Sequence, residues 1–152
     1  MQCAMEIFVF SDRRLGSIAE WQYAVEAESF ALRISDKRPF DALSGFLPMQ
    51  LEGRGSGCEC DHYDAGEIMD GFAEIEFSRR WRHVLAFRFG GYIDECICAY
   101  MAGAAYARAT DGCVLDGEEG RLLTPREAVN VVRELLKFRK GRQAERGEQE
   151  TC

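Results

Sequence analysis

The chain has 152 residues, 47% hydrophobic and 30% charged, and 26 acidic against 19 basic side chains give a net charge of −7. That composition is globular, the length suits one domain, and a chain of this size buries enough surface to fold without metal or disulfide. The acidic balance opposes nucleic-acid binding, no apolar run approaches a membrane span, and the start lacks signal-peptide character, so a cytoplasmic protein is expected.

Met5 to Phe10 is a short run of β-formers and predicts a buried strand. Ser17 and Glu20 form a capping box, and Ile18, Trp21 and Val25 fall at helical spacing, so Ile18 to Glu28 is expected to be a helix. Phe30 to Ile34 predicts a second strand. Asp36 to Pro39 is a turn, and Phe40 to Leu43 a short helical or irregular link. Phe46 to Leu51 reads as a third strand, which Pro48 places at an edge or a bend. Gly53 to Gly57 is expected as a flexible hairpin loop, with Cys58 to Tyr63 pairing back as a fourth strand.

Gly66 to Phe72 suits one or two helical turns, and Ala73 to Phe77 is weakly strand-like. His83 to Phe89 is a strand ended by Gly90-Gly91. The longest helix is expected from about Ile93 to Ala109, with Ile93, Ile97, Tyr100, Met101, Ala104 and Ala105 as an apolar stripe. Cys113 to Leu115 is a last strand and Asp116 to Gly120 a turn. Thr124-Pro125-Arg126-Glu127 is a strong helix start, and Val129, Val132, Leu135 and Leu136 supply the apolar face behind it. Adjacent strands in the middle imply a single α+β domain over residues 1–140, with a mixed or mainly antiparallel sheet and three main helices packed on it. Residues 141–152 read as a disordered tail.

Charge is unevenly placed. Residues 55–78 hold seven acidic side chains (Glu59, Asp61, Asp64, Glu67, Asp70, Glu74 and Glu76) and no Lys or Arg. Such a patch suits a basic protein partner or plain solubility. Arg79, Arg80 and Arg82 follow around Trp81, which reads either as an interface anchor or as a loop residue folded onto the core. The candidate partner-binding residues are therefore Glu59, Asp61, Asp64, Glu67, Asp70, Trp81 and Arg82. Residues 137–152 carry five basic against three acidic side chains, so a basic tail follows an acidic body.

Seven cysteines, an odd number with no export signal, read as free thiols in a reducing compartment. Cys58, Cys60 and His62 share one face of a strand, so two thiolates and an imidazole would converge on zinc there. A C-x-C pair on an extended strand wraps an ion poorly, and a half-buried strand explains the same spacing. No cofactor and no metal are expected. A thiol nucleophile would have only His62 or His83 as its base, and no phosphate-loop, nucleophile-elbow or zinc-protease motif is present.

The strand His83 to Phe89, its Gly90-Gly91 end, the helix carrying Asp94-Glu95, the Ala-rich run to Ala109 and the segment Thr110 to Asp116 together resemble a family of small, uncharacterised bacterial α/β proteins. Trp21 and Gly45-Phe46-Leu47-Pro48 are compatible with it, so the resemblance spans about residues 5–136. It implies a compact domain of the toxin-immunity or related interaction type and carries over no catalytic residue. The expected function is an interaction module that meets a basic partner such as a toxin through its acidic face. The alternative is a small enzyme or a ligand- or metal-binding domain built on the Cys58-Cys60-His62 region.

Overall fold

The computed structural model describes residues 5–150, with side chains to residue 145. Its strands are β1 (Glu6–Ser11), β2 (Leu32–Ile34), β3 (Phe46–Leu51), β4 (Arg54–Asp64), β5 (His83–Arg88), β6 (Cys113–Asp116) and β7 (Arg121–Leu123). Its helices are α1 (Ile18–Ala27), α2 (Ala65–Gly71), α3 (Ile93–Thr110) and α4 (Pro125–Glu150), with one 3-10 turn at Phe40–Ala42. The strands form one sheet in the order β2-β3-β4-β5-β1-β6-β7, and every neighbouring pair is antiparallel. The expected α+β class holds.

Alternation along the strands sorts side chains between two cores. Ile7, Val9, Leu47, Met49, Leu51, Cys58, Cys60, Leu85 and Phe87 face α1, α3 and α4. Phe8, Phe10, Val84, Ala86 and Leu115 face the other way, against Ala65 and Met69 of α2 and against Phe72, Ile75, Phe77 and Trp81 of the segment after it. That second layer covers β5, β1 and β6 but leaves the outward face of β3 and the start of β4 open. Phe46 there is 57% exposed.

The local signals act much as their chemistry predicts. Ser17 Oγ accepts the Glu20 amide, and Glu20 reaches back one residue further than expected, to the Gly16 amide. Thr124 and Glu127 make the full reciprocal box at the start of α4.

Several expectations need correction. The predicted glycine loop is mostly strand: the turn is only Glu52-Gly53, whose φ values of 53° and 80° are the left-handed pair a two-residue hairpin requires, and β4 runs from Arg54. Pro48 lies in β3, one strand in from the edge, and its carbonyl accepts from Ser35 just past the end of β2. Its missing donor therefore faces the place where pairing stops. Ala73 to Phe77 is not a strand; it crosses the second core as a loop. A seventh strand, β7, was not foreseen.

The helix α3 is buried on all sides from Cys96 to Ala107, not along one stripe, because α1, α4 and the sheet surround it. The last helix also runs on to Glu150 where a disordered tail was expected, although the last buried side chain among those described is Arg139. Residues 151–152 lie outside the described residues. Arg139 donates to Glu52 at 2.6 Å and to Asp94 at 3.1 Å, so it ties α4 to the β3–β4 turn and to the start of α3.

Candidate interaction surface

The seven acidic side chains from 59 to 76 split into two groups once their partners are known. Asp61 accepts from Ser44 Oγ at 2.9 Å and from the Gly45 amide at 3.0 Å, which pins the loop before β3. Asp64 is the N-cap of α2 and accepts the Glu67 amide. Both carboxylates are engaged with backbone. Asp70 pairs with Arg80 at 3.0 Å, and Glu59 stands 4.0 Å from Arg88, which also holds Glu6. The side chains of Glu67, Glu74 and Glu76 are exposed and make no ion pair with any described residue. They lie on α2 and on the loop that crosses the second core, a layer that also carries Arg79, Arg80 and Arg82.

Trp81 does not stand out as an exposed anchor. It is half-buried in the second core, Arg79 lies over its ring at 5.2 Å, and its buried indole N–H has no partner among the described residues. Arg82 is exposed, and its backbone N–H donates to Asp12. The basic cluster after the acidic stretch is thus largely used: Arg79 pairs with Asp12, and Arg80 with Asp70.

Cys58, Cys60 and His62 do share one strand face, as their spacing requires, but that face is the main core. Cys58 is 3% and Cys60 1% exposed. Burial pushes both thiols far above their ordinary range, with nearby acidic side chains adding to the effect. His62 Nε2 donates to the Phe40 carbonyl at 2.9 Å, because a carbonyl can only accept, and its Nδ1 faces Arg14 at 3.5 Å. The imidazole is used by the fold at both nitrogens. Among the described residues no three His, Cys, Asp or Glu side chains form a group arranged to hold a metal ion. Burial also pushes Cys98 up to about 11 and Cys113 up to about 12, so neither is a ready nucleophile.

Two exposed aromatic residues on the outward face of the sheet were missed. Leu47, Met49 and Leu51 point inward along β3, so Phe46 must point outward; Cys58 and Cys60 do the same for Tyr63 on β4. An apolar residue at an outward position was the available signal. Phe46 and Tyr63 are 57% and 45% exposed. Side chains directly opposite one another then make a row across four strands, Phe46, Glu59, Arg88 and Glu6.

No helix of the described residues is long and apolar enough to cross a membrane. No family model, curated protein or solved structure matches the chain.

Proposed function

We propose that this chain is a protein-interaction module of the toxin-immunity kind, acting in the cytoplasm, and that its partner is a basic protein met by the layer formed by α2 and the loop to β5. The observation that carries this reading is the trio Glu67, Glu74 and Glu76, exposed and in no ion pair with any described residue, whereas Asp61, Asp64 and Asp70 of the same stretch are each engaged. Unpaired carboxylates on one layer raise the local concentration of a basic partner and speed its approach, an effect that salt suppresses. Tyr63, exposed at the end of β4 just before α2, supplies apolar contact that charge alone does not.

The test is capture from the native cell followed by kinetics with the captured protein. A basic protein should be enriched, and a Glu67→Lys, Glu74→Lys, Glu76→Lys variant should bind it about tenfold more slowly at low salt, with a smaller difference at high salt. Equal association rates for the variant and the natural chain would overturn the acidic-layer mechanism. An adjacent toxin gene would favour the immunity role over other interaction roles.

A further inference from the structure

At the end of the sheet, β4 and β5 separate. Their last directly opposed residues are Glu59 and Arg88, and beyond this pair the chain after β5 turns away into Gly90 and Gly91. The separation opens a groove walled by Phe46 on one side and Met5 on the other, with Glu59, Arg88 and Glu95 at its rim. Phe46 is 57% and Met5 44% exposed, so both walls present apolar surface to solvent. The wall has been made possible by Gly57: a Cβ there would lie 2.8 Å from the Phe46 ring and 2.4 Å from the Leu47 carbonyl oxygen. Any larger residue would push the ring away from the strand.

The charge of the groove is negative. Two carboxylates, Glu59 and Glu95, stand against one guanidinium, and that guanidinium is shared with Glu6 at 3.3 Å while Glu59 is left at 4.0 Å. Glu59 is a weakly paired carboxylate beside an exposed aromatic ring. A carboxylate and a ring face together are what an arginine side chain recognises, since its planar guanidinium stacks on the ring while donating to the carboxylate. Its methylene stem is long enough to lie along apolar surface such as Met5 provides.

We infer that the groove is the seat of an arginine side chain from the basic partner, stacked on Phe46 and held by Glu59. The inference rests on the reading of this chain as a binder of a basic protein, and it names the one anchor that the partner must offer.

The experiment uses the isotope-labelled full chain and two probe peptides, a blocked pentapeptide with a central arginine between glycines and the same peptide with citrulline, the uncharged isostere. The arginine peptide should give saturable amide shifts centred on Phe46, Glu59 and Gly90, and the citrulline peptide should bind about fivefold more weakly or not at all. Phe46→Ala and Glu59→Gln, both at exposed positions, should each weaken the arginine peptide severalfold while the melting temperature stays put. Tyr23→Ser, at an exposed position of α1, should leave peptide affinity unchanged. Absence of shifts in the groove, or equal binding of the citrulline peptide, overturns the inference. The two readings fail separately. A captured partner that binds Phe46→Ala and Glu59→Gln as well as the natural chain removes the groove alone, whereas peptide binding with no captured basic protein removes the interaction reading alone.

Discussion

His83 illustrates how a residue's chemistry depends on neighbours that lie far away in the chain. It opens β5 opposite Ser11 of β1, and burial, with help from Arg14 and Arg82, lowers its pKa below the ordinary 6.5. A histidine kept neutral in the folded protein takes up its proton more readily when unfolded. Stability therefore falls as pH drops from 6.5 toward the lowered folded pKa, and the full loss is in place below it. Denaturant midpoints measured over that range should fall more steeply for the natural chain than for His83→Gln; parallel curves would show that His83 is not the titrating group. The thiols give a second expectation at this scale. In a Cys3→Ser, Cys152→Ser background, a thiol reagent at pH 8 should label the folded protein very slowly, since Cys58, Cys60, Cys96 and Cys98 are buried, Cys113 is half-buried, and burial shifts Cys58, Cys60, Cys98 and Cys113 upward. Rapid labelling of Cys58 or Cys60 without denaturant would revive the alternative of a thiol-based site.

Among the elements, α3 is the one whose role the rest of the fold depends on. Its small side chains let three neighbours approach: α1, α4 and the sheet. At Gly103 a Cβ would already meet Val9 Cγ2 at 3.2 Å and Ile7 Cδ1 at 3.3 Å. Gly103→Leu should thus cost about 1–3 kcal/mol through overpacking, despite leucine's better helix propensity, and thermal denaturation would reveal it. A gain in stability would mean that α3 sits further from β1 than described. The start of α4 depends instead on local chemistry, with Thr124 and Glu127 satisfying each other's amides. Removing that hydroxyl by Thr124→Ala should cost about 1 kcal/mol.

For the whole molecule, the end of the anchored part of α4 is set by Arg139. Phe138 is half-buried and Arg139 is buried between Glu52 and Asp94, whereas residues 140–145 are exposed. Truncation after Lys140 should leave the melting temperature within about 2 °C of the full chain, and truncation after Lys137 should lower it by several degrees. The guanidinium's partners are each more than a third exposed, so the loss should fall short of that for a dry ion pair. If the shorter truncation alone destabilised the protein, the exposed turns of α4 would have to be docked.

The sequence by itself determined what short-range periodicity and capping chemistry control. The strands β1, β3, β4 and β5, the capping box at Ser17, the helix start at Thr124 and the antiparallel character of the middle strands all follow from residues a few positions apart. The acidic stretch and its lack of basic residues were also plain there. What the sequence could not supply was the set of partners brought together from distant positions. Asp61 looks as available as Glu67 in the sequence, but Ser44 and Gly45 both donate to its Oδ1. Trp81 looks like an anchor between arginines until the second core receives its ring. The glycines before Cys58 look like a loop, yet they are strand, because Phe46 and Leu47 on the paired strand occupy the space a side chain at Gly57 would need. Local free energies decide which residues can be helix or strand. Which carboxylates stay free, and which face of the sheet stays open, is decided only when the second layer covers part of that sheet and leaves the rest to solvent.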